Sequence, residues 1–176
     1  LPLFDGFPGI DELVEIDSLG QAESHCDCRI PLASLPRYFA DSFFEIPKHS
    51  VPYFKINHAK REQWSRFVSE NCNGASLKVG LCWSGSQSNI PGRKRSLEAS
   101  ELVPLFALPG IAWFSLQADS AEAELNSPPL VKTASLLKDF SDTAAMIESL
   151  DVVVSIDTAV AHLAGAMAKP LLLALC

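Results

Sequence analysis

Four short apolar runs, at residues 79–83, 111–116, 152–156 and 171–175, constrain this chain more than anything else in it. Each is nearly continuous rather than alternating, which suits a strand buried on both faces, as in a parallel sheet covered by helices. Between them, residues 96–108 and 141–150 read as helices. Pro104 should kink or shorten the first, and Ser141 or Asp142 can serve as the N-cap of the second. From residue 77 onward the expected class is therefore α/β with a parallel sheet.

Upstream the pattern differs. Pro2, Pro8, Pro31, Pro36, Pro47 and Pro52 punctuate residues 1–57 and forbid a long helix there, so short strands and turns are expected, the tail of a domain whose beginning is absent. Residues 57–71 are helix-compatible, with Trp64, Phe67 and Val68 at helical spacing, and the polar, glycine-containing residues 71–76 read as a linker. The expected division is a domain remnant at 1–57, a helix and linker at 58–76, and an α/β domain at 77–176 that stops short. Leu1 at the start and Cys176 directly behind an apolar run make both ends look cut. At 176 residues, 48% hydrophobic and 20% charged, the chain can bury a sizeable core. No repeat of solenoid period and no low-complexity segment is visible.

A formal net charge of −7 argues against broad electrostatic binding to nucleic acid or to an anionic membrane, so any anion site must be local. The one dense basic cluster is Arg93, Lys94 and Arg95. Five scattered cysteines do not resemble a disulfide framework and fit a reducing cytoplasm. His25, Cys26 and Cys28 lack a second ligand pair at zinc spacing, so no metal is expected. No secretory signal opens the chain, and no apolar stretch approaches the roughly 20 residues that span a bilayer.

Residues 152–169, followed by Pro170 and another apolar run, form a βαβ unit in miniature. Asp157 closes the strand and suits the N-cap, leaving the backbone N–H groups of Thr158, Ala159 and Val160 pointing out of the helix start, an end that attracts phosphate. At about 100° per residue, Thr158, His162 and Gly165 share an arc, opposite Val160, Leu163, Ala164 and Met167. One face should pack on the sheet, and the other should present a hydroxyl and an imidazole, with Ala161 and Gly165 leaving room beside them. Taken singly, Asp157 is a cap and His162 a surface or core-satisfied histidine; gathered at one helix start behind a parallel strand, they point to ligand binding. A second loop can complete the pocket: Ser84-Gly85-Ser86 follows the first strand, its backbone able to approach a diphosphate, and residues 93–96 supply cations. A Gly-x-Gly-x-x-Gly fingerprint, a Walker-type Gly-Lys-Ser/Thr and a Gly-x-Ser-x-Gly elbow are all absent, which lowers the dehydrogenase, P-loop and serine-hydrolase readings.

The run Ser155-Ile156-Asp157-Thr158-Ala159-Val160-Ala161-His162-Leu163-Ala164-Gly165-Ala166, ending in Lys169-Pro170, closely resembles the signature region of heptosyltransferase-like glycosyltransferases of family 9. It is closer still to the glycosyltransferase domain that follows tetratricopeptide repeats in bacterial proteins. Val79-Gly80-Leu81-Cys82-Trp83-Ser84-Gly85, Arg95-Ser96, Phe114-Ser115-Leu116-Gln117 and Asp139-Phe140-Ser141-Asp142-Thr143-Ala144 resemble that domain's successive landmarks, in order. Residues 8–12 and 30–36 resemble the close of the family's amino-terminal domain. The resemblance implies a GT-B fold, two Rossmann-like domains facing a cleft, with a nucleotide-sugar donor held mainly by the second. It implies that Asp157, Thr158 and His162 contact the donor's diphosphate and sugar, Ser84 and Gly85 its phosphate side, and Arg95 its charge. It further implies catalysis without a metal or other cofactor, on a glycan, lipid-linked or protein acceptor. Heptosyltransferases usually carry Gly after the Asp-Ser/Thr pair, where this chain has Ala159; that favours the repeat-associated relatives and puts heptose in doubt. The family's usual catalytic carboxylate lies near the beginning of the amino-terminal domain, outside this sequence, so no base is assigned. A non-catalytic nucleotide-binding scaffold and a sugar-nucleotide epimerase remain the alternatives.

Overall fold

The computed structural model describes residues 2–14, 27–39, 51–85, 95–118, 121, 123, 125 and 129–175. Within them five strands form one sheet: β1 (Leu77–Cys82), β2 (Ile111–Ser115), β3 (Leu130–Val131), β4 (Val152–Ile156) and β5 (Leu171–Ala174). Their order is β3-β2-β1-β4-β5, and every pairing is parallel. This is the doubly wound, Rossmann-like arrangement, in which the chain runs outward from β1 in one direction and then in the other. The four apolar runs are four of these strands. The two-residue β3 was not expected from the sequence.

The described residues also hold five α-helices: α1 (Pro36–Phe39), α2 (His58–Asn71), α3 (Ala99–Leu102), α4 (Phe140–Ser149) and α5 (Ala159–Ala166). Alternation along the strands sends side chains to two layers. On one face Val79, Leu81 and Trp83 of the β1 segment meet Trp113, Leu130 and Leu102 of α3. On the other, Cys82, Phe114 and Val153 meet Ala144, Met146 and Ile147 of α4, Val160 and Leu163 of α5, and Trp64 and Val68 of α2. Gly80 belongs to this second layer for a steric reason: a Cβ there would stand 2.6 Å from Leu116 Cδ1 and 2.7 Å from Leu150 Cδ1. Its absence lets both leucines close over the strand, where overpacking costs about 1–3 kcal/mol.

Pro104 acts as expected. The helix begun at Ala99 tightens into a 3-10 segment, Val103–Ala107, with the proline in its first turn. α2 is fastened to α4 by Arg61, which donates from Nε and Nη2 to Glu148 at 2.7 and 2.9 Å, and by Lys60, 2.9 Å from Asp142 and 3.2 Å from Asp139. At the far end of α4, Lys169 Nζ donates to the carbonyls of Glu148 and Leu150 at 3.0 and 2.6 Å, closing a helix terminus whose carbonyls lack intrahelical partners. Burial in that position pulls its ammonium below the ordinary lysine range, against the pull of the Asp151 and Glu148 carboxylates.

Three local expectations are corrected. The described part of residues 1–57 holds 3-10 turns at Pro2–Phe4 and Leu32–Ser34 and the single turn α1, and no strand. Proline spacing limits helix length without supplying the pairing partner that a strand needs. The N-cap of α4 is Asp139, whose carboxylate accepts from the N–H groups of Ser141 and Asp142, rather than Ser141 or Asp142. The N-cap of α5 is Thr158 rather than Asp157: β4 ends at Ile156, and Thr158, at φ −139° and ψ 171°, is the extended residue from which the helix starts at Ala159. No helix among the described residues is long and apolar enough to cross a membrane.

Candidate functional site

The order β3-β2-β1-β4-β5 places its topological switch point between β1 and β4, the adjacent strands whose onward connections diverge, and open α/β sheets bind ligands in the crevice beyond the carboxyl ends of such strands. A cavity of about 370 Å³ lies there, lined by Ser84 and Gly85 behind β1, Gln117 behind β2, Asp157 and Thr158 behind β4, and Arg95. Five of the six residues singled out from sequence therefore share one cavity. His162 is the exception: it projects from α5 with 83% of its side chain exposed and reaches the others only through Asp157, Nε2 standing 3.7 Å from Oδ1.

Asp157 is the electrostatic centre of this edge. Freed from capping duty, its Oδ2 accepts from Arg95 Nη1 at 2.5 Å, so the carboxylate lies between a guanidinium and an imidazole. Thr158 does not cap with its side chain. Its hydroxyl lies 3.1 Å from Ser155 Oγ and 3.7 Å from Cys82 Sγ, turned toward the sheet rather than outward as expected. The first N–H groups of α5 consequently receive nothing from the Thr158 side chain, which leaves them available to an anion. The faces of α5 are sorted as read, with His162 and Gly165 exposed and Val160, Leu163 and Ala164 buried. Ala161 is a correction: it is buried and leaves no room beside His162. A Cβ on Gly165 would meet nothing, so packing does not demand glycine there.

The turn behind β1 is held by two side chains. Gln117 accepts from the Ser84 N–H at 3.1 Å and donates to the Ser84 carbonyl at 2.9 Å, and Ser96 Oγ accepts from the Gly85 N–H at 3.0 Å. Ser84 itself is buried, its hydroxyl donating to the Gly85 carbonyl and lying 3.3 Å from Ser96 Oγ. Its part in the site is to shape the backbone, while Gly85 and Arg95 face the space. From the sequence Gln117 stands only within the Phe114-Ser115-Leu116-Gln117 landmark. The signal for its role was a polar residue closing an apolar run at the same sheet edge, and its partner 33 residues away could not be read from the chain.

Ser86, Arg93 and Lys94, like His25 and Cys26, lie outside the described residues. Among the described residues no group of His, Cys, Asp or Glu is arranged to hold a metal ion. The cavity thus gathers the start of α5, the Gly85 turn tied to Ser96, and the Arg95 guanidinium paired with Asp157, in a chain whose overall charge is negative. Comparison with protein-family models, with curated proteins and with solved structures finds no match for this chain.

Proposed function

We propose that this chain is the donor-binding part of a GT-B-type glycosyltransferase resembling family 9, in which a nucleoside-diphosphate sugar lies across the sheet's switch point. Its diphosphate meets the start of α5, Gly85 and Arg95, and the sugar lies toward Asp157 and His162. The observation that carries this reading is the convergence of Gly85, Arg95 and the α5 start on one cavity at the carboxyl edge between β1 and β4. In the transfer the acceptor oxygen bonds to the anomeric carbon as the bond from that carbon to the diphosphate oxygen breaks. The nucleoside diphosphate leaves with the electron pair. A base outside the described residues takes the acceptor's proton, since Asp157, the one carboxylate among the described residues lining the cavity, is engaged by Arg95.

Donors aimed at the position where negative charge develops are how such a leaving group is stabilised without a metal. The acceptor is a hydroxyl of a glycan, a lipid-linked intermediate or a protein, and the five scattered cysteines fit a cytoplasmic setting. The pairing of Asp157 with Arg95 favours, as a second reading, a nucleotide-binding module without turnover. Thermal melting tests the nucleotide binding that both readings share. Adding ADP, UDP or GDP and their sugars to the intact protein should raise its melting temperature by several degrees, and Arg95→Met and His162→Ala should each remove most of the shift. No shift with any of these nucleotides overturns both readings; a shift without sugar release in the presence of acceptor favours the second.

A further inference from the structure

A second cavity, of about 350 Å³, adjoins the first, with Phe140 and Ala159 lining both. Its wall is aromatic. Phe4, Tyr53 and Phe54 line it, and Phe7 braces them from behind: the centroids of Phe4 and Phe54 lie 5.5 Å apart, of Phe7 and Phe54 5.7 Å, and of Tyr53 and Phe54 4.9 Å. Such edge-on and tilted contacts fix the rings in place. Yet Phe4, Tyr53 and Phe140 are 38%, 43% and 51% exposed. Their outer faces are open although their positions are set. His162 stands at the boundary, lining this cavity while its Nε2 faces Asp157 of the other.

We propose that this aromatic cavity is the acceptor subsite, and that it takes an acceptor whose hydroxyl is carried on an apolar, aryl or hydrocarbon group. The inference rests on the glycosyl-transfer reading for the word acceptor, but the ligand chemistry comes from the wall itself. Only His162 and Tyr53 among the lining side chains carry polar atoms. A polyhydroxylated sugar held there would leave most of its hydroxyls without partners, which is costly, whereas an apolar group gains by burial and by contact with ring edges and faces. Continuity through Phe140 and Ala159 brings such a group's hydroxyl beside the His162 boundary, next to the start of α5 where the donor is placed.

The test compares methyl glucoside with 2-naphthyl glucoside as probes on the intact protein, by saturation-transfer NMR and calorimetry, with and without a nucleoside diphosphate. The naphthyl compound should bind at least tenfold more tightly than the methyl compound. Tyr53→Ala and Phe4→Ala should each weaken it about fivefold, with far-ultraviolet circular dichroism confirming the fold, and Leu172→Lys, on β5 outside both cavities, should leave it unchanged. Equal affinity for the two glucosides, or naphthyl binding that survives both aromatic variants, overturns the proposal. Failure of the donor reading would look different: naphthyl binding intact and sensitive to Tyr53→Ala, with no nucleotide bound at all.

Discussion

At Asp157 a carboxylate stands between a guanidinium and an imidazole. Sequence offered it as a helix cap; in the fold it is a counter-charge, held by Arg95 on one oxygen and facing His162 with the other. Both members of the Arg95 pair are 42% exposed, so the bridge contributes little to stability, about 0–1 kcal/mol. Its consequence is for binding. A phosphate entering the cavity must compete with this carboxylate for the guanidinium and bear its repulsion. Asp157→Asn should therefore leave the melting temperature nearly unchanged and strengthen inorganic pyrophosphate binding roughly tenfold, an effect well within the Coulomb energy of two charges near a protein surface. For a complete nucleotide sugar the sign should reverse, because the resemblance assigns Asp157 a contact to the donor. Titration calorimetry with the two ligands checks both signs, and a weaker pyrophosphate complex in the variant would show that the carboxylate is not a competitor.

At the scale of elements, the start of α4 carries the clearest electrostatic device. Burial pushes the Asp139 carboxyl up, but hydrogen bonds from Ser141 Oγ, from Lys60 and from the N–H groups of Asp142 and Ser141 outweigh it and hold it at about 2, against an ordinary value of 3.8. A depressed folded-state value means stability that is fully present above the unfolded value and lost as pH falls through the folded one. With the side chain 34% exposed, and discounting for solvent screening, this amounts to about 1–2 kcal/mol, lost between pH 4 and about 2. Asp139→Asn, which can still cap, should flatten the stability profile across that range; Asp139→Ala should also cost about 1 kcal/mol at neutral pH. Denaturant melts at pH 2, 3, 4 and 7 measure both, and an unaltered acid slope in the Asn variant would refute the assignment. The same element shows why legibility varied. Strands buried on both faces leave continuous apolar runs, so β4 was bounded from sequence at the residues it occupies. Caps depend on the φ and ψ of one junction residue, and with Asp139, Ser141 and Asp142, or Asp157 and Thr158, side by side, composition does not choose between them. β3 is two residues long and leaves no period to detect. The Gln117 clamp and the aromatic wall come from tertiary pairing of distant segments, which no local pattern encodes.

Across the whole molecule, the site and the sheet's weakest margin lie apart. β5 pairs only with β4 among the described residues, and Leu172, Leu173 and Leu175 are 64%, 45% and 75% exposed. Successive residues of a strand face opposite sides, so apolar surface opens on both faces of this edge at once, beside backbone groups ready to accept another strand. Nothing of the kind occurs at β1 and β4, whose ends build the cavity, and β5 contributes no residue to it. The 176-residue chain should therefore self-associate at micromolar concentrations while keeping its response to nucleotide, if the proposed function holds. Leu172→Lys, which places a charge on the edge, should shift sedimentation toward the monomer and leave the nucleotide-induced rise in melting temperature intact. A single monomeric species in the unaltered chain up to high micromolar concentration would show that the edge is not the route of association, and loss of the nucleotide effect in the lysine variant would show that edge and site are coupled after all.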